Sequence, residues 1–157
     1  MNTIEKFYMN IGKFCFKNPD IEHDFFISSN KEKIFLFERG NFKIRIYPYF
    51  NRDKISIDLD IDLINKIPAN HHKIRELIGF NEHKLNKLDM KAIKLSMPLL
   101  IGLENNIESF SVFPTYLREK IDMNPFYGRI TNKEVNIKEI RKIIKKYKLE
   151  NKLGDGN

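Results

Sequence analysis

The chain has one cysteine, Cys15, among its 157 residues. A lone thiol excludes an intramolecular disulfide and fits a reducing compartment. Cys15 falls on the apolar stripe of an expected first helix, with no histidine near it in sequence. It therefore reads as a structural thiol rather than a nucleophile. Also missing are the short motifs that announce a cofactor or a reaction. There is no glycine-rich phosphate loop, no cysteine pair, no His-x-x-x-His and no G-x-S-x-G. His71 and His72 are adjacent and so face different ways on a helix. His72 and Glu76 can meet at i, i+4, but two ligands do not make a zinc site. The expectation is a non-catalytic protein with no cofactor and no metal.

Long apolar runs are absent too. The longest, Met97 to Leu103, is interrupted by Pro98 and Gly102 and is far shorter than the roughly 20 residues of a membrane span. The first residues include Glu5 and Lys6 and form no apolar signal core. These features predict a soluble cytoplasmic protein with no membrane partner.

Arginine is scarce, with seven against 21 lysines. The net charge of +7 makes an anionic partner plausible, but its meaning is diluted by composition. Isoleucine, lysine and asparagine, whose codons are rich in A and T, together supply 61 of the 157 residues. Coding bias of this kind raises lysine wherever the surface tolerates it. Dedicated phosphate and base recognition leans more on the planar fork of arginine.

What is present is a strong strand pattern from Ile34 to Leu63. Apolar and polar residues alternate with period two, as in half-buried strands. Phe42, Ile44 and Ile46 share one face, and Lys43, Arg45, Tyr47 and Tyr49 share the other. Ile55, Ile57, Leu59, Ile61 and Leu63 then alternate with Ser56, Asp58, Asp60 and Asp62. A turn at Gly40-Asn41, with glycine where a type II′ turn wants it, pairs Phe37 with Ile44 and Glu38 with Lys43. A turn at Asn51-Arg52 pairs Ile46 with Ile57, Arg45 with Asp58 and Lys43 with Asp60, leaving Asp62 opposite Asn41. Carboxylates about 7 Å apart along one face can hold a divalent cation, which would suit a metal-dependent hydrolase. A ladder of opposite charges explains the Asp58-x-Asp60-x-Asp62 stripe more simply.

Around this stretch the pattern predicts helices. Residues 3–15 place Ile4, Phe7, Tyr8, Ile11, Phe14 and Cys15 on one face, with Asn2 and Glu5 as a cap pair. Asp24 to Ser28 suggests a first strand. His71 to Leu88 suggests two short helices around Gly79, a helix-turn-helix-like unit. Pro98 to Ile107 suggests a buried helix, and Phe110 to Phe113 a strand ended by Pro114. Asn124-Pro125 and Tyr127-Gly128 mark loops. Asn136 and Glu139 open a last amphipathic helix lined by Ile137, Ile140, Ile143, Ile144 and Tyr147. Residues 151–157 suggest a disordered tail.

The expected architecture is one α+β domain over residues 1–150. An antiparallel meander of three to four strands, about 24–62, is covered on its apolar face by the first helix and the later ones. The expected function is binding to another protein, in its most concrete form as a toxin-neutralising immunity protein or similar inhibitor. Its interface would be the polar sheet face with Arg45, Tyr47, Tyr49, Asp58, Asp60 and Asp62, since tyrosine and arginine are enriched among interface anchors. The alternative is a nucleic-acid binder. It would use His83, Lys84, Asn86 and Lys87 of the helix-turn-helix-like unit, and Lys138, Arg141, Lys142 and Lys145 of the basic last helix.

Overall fold

Strict alternation over two ten-residue runs forces a hairpin, and the computed structural model is built on it. The structure describes residues 1–27, 33–66, 72, 84–117 and 132–151. Strand β1 is His23–Ile27, β2 Lys33–Arg39, β3 Phe42–Asn51 and β4 Lys54–Leu63. Two further strands, β5 (Ile107–Pro114) and β6 (Lys133–Glu134), extend the sheet in the order β1-β2-β3-β4-β5-β6. The helices are α1 (Thr3–Lys17), α2 (Lys87–Ser96) and α3 (Ile137–Glu150), with a 3₁₀ turn at Met97–Leu99. The fold is α+β, with one sheet larger than the meander alone.

The meander β1 to β4 is antiparallel, as tight turns require. The β4 to β5 pairing is parallel, because the chain returns through α2 rather than through a hairpin. An extra residue at Glu108 shifts the register beside Ile55 and Ser56, so that Ile107 and Phe110 are both buried. Ile107 reads as helical in sequence because Leu99, Leu100, Leu103 and Ile107 recur at helical spacing. Pro98 to Ile107 is instead a 3₁₀ turn and a loop leading into β5.

The turn at Gly40 has the expected register, with Phe37 opposite Ile44 and Glu38 opposite Lys43, and Gly40 at φ +60°. The next turn lies one residue later than expected. Asn51 pairs with Lys54, so Ile46 faces Leu59, Arg45 faces Asp60 and Lys43 faces Asp62. The slip is two residues, which leaves every side chain on its expected face. Arg52 in this turn has φ +57°, a left-handed conformation that costs a non-glycine residue about 1 kcal/mol or more.

Helices α1, α2 and α3 pack on the apolar face. Phe7, Ile11 and Phe14 of α1, Ala92 and Ile93 of α2, and Ile140 and Ile144 of α3 join one core with the inward residues of the sheet. Phe14 stacks edge-on or tilted against Phe35 and Phe37, with ring centroids 6.0 and 5.0 Å apart. The face of α1 is rotated from the one expected. Ile4 is exposed, and Asn10 is buried because its amide donates to Leu99 O at 3.1 Å and Ile101 O at 2.8 Å. Asn2 caps α1 by accepting from Glu5 N at 2.9 Å, and Asn136 caps α3 by accepting from Lys138 N at 2.8 Å. Cys15 is half-buried against the core, where burial pushes its thiol pKa up.

The second of the two short helices expected between His71 and Leu88 gives way at its described end to a helix that begins at Lys87 and runs to Ser96. Residue 71 and residues 73–83 of the helix-turn-helix-like unit, Gly79 included, lie outside the described residues, as do the loops at Asn124-Pro125 and Tyr127-Gly128. Of the expected tail, Asn151 is described and caps α3, while residues 152–157 lie outside. Among the described residues, no helix is long and apolar enough to cross a membrane.

Candidate functional site

The sheet face turned away from the helices carries the outward residues of β3, β4 and β5. Tyr47 stands opposite Asp58, Arg45 opposite Asp60 and Lys43 opposite Asp62. Parallel pairing then sets Asp58 beside Ser111 and Asp60 beside Phe113. Tyr47, Tyr49, Asp58, Asp60 and Phe113 together line a hollow of about 190 Å³. Tyr49 is the most open of them, with 39% of its surface exposed, while the other four are half-buried. Four of the six residues expected at a partner interface therefore line one hollow, and Arg45 stands opposite Asp60 beside it. Asp62 sits further along β4, beyond the hollow.

The carboxylates differ in their surroundings. Thr115 Oγ1 lies 2.7 Å from Asp60 Oδ1 and 2.6 Å from Ile61 O, so its one hydroxyl proton fixes the edge of the hollow against β4. Asp62 is not the unpaired carboxylate expected from the earlier register. It accepts from Lys66 Nζ at 2.9 Å and from the backbone N–H of Leu63 at 2.9 Å. Burial acts to raise its pKa, but the Lys66 hydrogen bond, the Leu63 N–H and the charges of Lys66 and Lys43 outweigh it and hold the carboxyl below its ordinary value. Glu38 and Lys43 keep their expected cross-strand pairing at 3.7 Å. Among the described residues, no three His, Cys, Asp or Glu side chains gather closely enough to hold a metal ion.

The residues expected for nucleic-acid binding do not act alike. His83 lies outside the described residues. Lys84, Lys87, Lys138, Lys142 and Lys145 are exposed. Asn86 is instead committed to structure. It accepts from Asp89 N at 2.9 Å, donates through its backbone to Asp89 Oδ2 at 3.0 Å, and donates its amide to Tyr116 OH at 2.7 Å. Arg141 is half-buried and donates from Nε to Glu104 O at 3.0 Å. Both side chains are thus spent inside the fold, Asn86 because a helix start needs a cap and Arg141 because α3 is tied to the loop before β5.

Sequence reasoning missed the polar group in the core. Asp89 and Lys133 are fully buried, and Lys133 Nζ lies 2.7 Å from Asp89 Oδ2. Tyr116 donates its hydroxyl to Asp89 Oδ1 at 2.8 Å. Burial, and then the negative charge of Asp89, push the Tyr116 hydroxyl pKa well above its ordinary value. The spacing Asn86-x-x-Asp89 is a helix-start signal visible in the sequence. The inward aim of Lys133 follows from its position opposite Val112, which only the folded sheet reveals. Phe113 was legible as a strand residue, but its place beside Asp60 depends on the parallel pairing.

Comparison with family models, with characterised proteins and with solved structures finds no match to this chain.

Proposed function

We propose that this protein acts by binding another protein through the sheet face opposite α1, α2 and α3, and that its concrete role is that of an inhibitor, such as one neutralising a toxin. The observation that carries the reading is the hollow in which Tyr47, Tyr49 and Phe113 stand among Asp58 and Asp60, with Arg45 on the adjoining pair. Tyrosine brings a large, rigid surface with a polar tip at little cost in conformational entropy. Arginine and tyrosine are the side chains most often found to dominate binding energy. The charged residues around the rings supply the polar rim that fixes register and rejects wrong partners.

The test is capture of partners from the native host by the full chain, run in parallel with a Tyr47→Ala/Tyr49→Ala variant and a Lys87→Ala/Lys145→Ala variant. A stoichiometric protein retained by the native chain and by the lysine variant, but lost by the tyrosine variant, supports the reading. Absence of such a protein, or equal retention by all three, overturns it. Loss with the lysine variant alone, accompanied by nucleic acid in the eluate, would favour the nucleic-acid alternative.

A further inference from the structure

Helices α2 and α3 leave a trough between them on the side of the sheet away from Tyr47 and Tyr49. Its floor is apolar, formed by Met90, Leu95, Met97, Ile143 and Tyr147. Met97 is fully buried, whereas the other four are only partly covered. The trough has a volume of about 430 Å³ and runs into a second hollow of about 560 Å³, with Met90, Glu139 and Lys142 common to both. Lys138, Lys142 and Lys146 line these hollows from α3. Their four-residue spacing makes a row of charge roughly 12 Å long on one side of the helix. Lys94 adds a charge from α2. Lys146 has a long 3.9 Å contact with Glu150, both side chains being largely exposed.

We infer that this trough is a docking groove for an acidic amphipathic helix of a partner protein. A third helix laid between two others buries an apolar stripe at i, i+3, i+4 and i+7, and the half-covered floor offers the matching surface. Methionines in that floor adapt their shape to such a stripe. Acidic residues four apart on the incoming helix would face the lysine row at the same spacing, so the charge of the lip selects the sign of the ligand. Glu134, Glu139 and Glu150 stand among the lysines, so a continuous run of phosphates suits the trough poorly, whereas carboxylates spaced four apart on a helix can meet the lysine row and pass between the glutamates. An anionic bilayer is too flat to reach the recessed floor.

The experiment is fluorescence anisotropy with the full chain and a labelled peptide of about 15 residues, roughly four helical turns. The peptide carries leucines at i, i+3, i+4 and i+7 and glutamates four apart on the flank. Controls are a scrambled peptide of the same composition, a DNA duplex of random sequence and phosphatidylserine vesicles. The patterned peptide should bind at micromolar concentration, and added salt should weaken it. Lys142→Glu/Lys146→Glu should reduce affinity by about tenfold, reversing two exposed charges, while circular dichroism shows an unchanged fold. Equal binding of the scrambled peptide, equal binding by the variant, binding only to DNA or vesicles, or no binding at all would overturn the inference.

Discussion

Asp89 holds more of the polar interior than any other single side chain described. Its two carboxylate oxygens accept from Tyr116 OH, from Lys133 Nζ and from the backbone N–H of Asn86. A buried charge with one partner removed keeps its desolvation penalty and loses its compensation, a loss of about 3 to 5 kcal/mol. Lys133→Met should therefore lower stability by about 3 kcal/mol, the low end because Tyr116 and Asn86 still donate to Asp89. Adding Asp89→Asn to that variant should cost less than the sum of the two single changes, since the pair is one interaction. Urea unfolding of the two single variants and the double variant checks both statements. Strict additivity would show that the ion pair is not coupled in the folded chain.

The elements are held together by side chains that reach across chain turns. Asp53, in the β3–β4 turn, accepts from the backbone N–H of Thr3 at 3.0 Å and from its hydroxyl at 2.8 Å. Asn106 Nδ2 donates to Asp53 O at 3.0 Å and to Oδ2 at 3.2 Å. One aspartate thus joins the start of α1, the tip of the hairpin and the loop before β5. The Thr3 hydroxyl bond, followed by the Thr3 N–H bond, holds the Asp53 carboxyl below its ordinary pKa of 3.8. A depressed folded pKa means that the ionised form stabilises the fold above the ordinary value, and that this support is lost as pH falls through the depressed one. The stability gap between the native chain and Asp53→Asn should be constant from neutral pH to about pH 5 and close below it. Urea midpoints measured across that range would show the closure, and a gap independent of pH would exclude it. The same residue explains a limit of the sequence reading. Period-two alternation assigns each side chain to a face, and a two-residue slip changes no face, so periodicity could not choose between turns. A turn at Asn51-Arg52 sets Arg45 against Asp58 and Lys43 against Asp60, but the observed register also keeps opposite charges together, with Arg45 facing Asp60 and Lys43 facing Asp62. Thr3 and Asn106, both distant in sequence, anchor Asp53 and so place the turn at Arg52-Asp53, even with Arg52 in a left-handed conformation. The outward set Arg45, Tyr47, Tyr49, Asp58 and Asp60 was legible because it needed only the face. The neighbours Phe113 and Thr115 were not, because they arrive through a parallel strand that no tight turn announces.

At the scale of the whole molecule, the sheet divides two candidate surfaces. Tyr47 and Tyr49 line the hollow on the face opposite α1, α2 and α3, whereas Lys142 and Lys146 border the trough between α2 and α3 on the other. The core that separates them is one continuous cluster running from Phe7 and Phe35 to Ile140 and Ile144. Side chains on opposite sides of such a core share no direct partner, and effects at distant, independent sites add to within about 0.5 kcal/mol. Tyr47→Ala/Tyr49→Ala should therefore leave the affinity for the patterned acidic peptide within about twofold of the native value. Lys142→Glu/Lys146→Glu should likewise leave capture by the sheet face unchanged. Both sets alter residues at least partly open to water, so neither should remove the cooperative thermal transition of the chain. If instead the tyrosine variant weakened peptide binding tenfold while remaining folded, the sheet face and the trough would be coupled through the core, and a partner on one side would regulate the other.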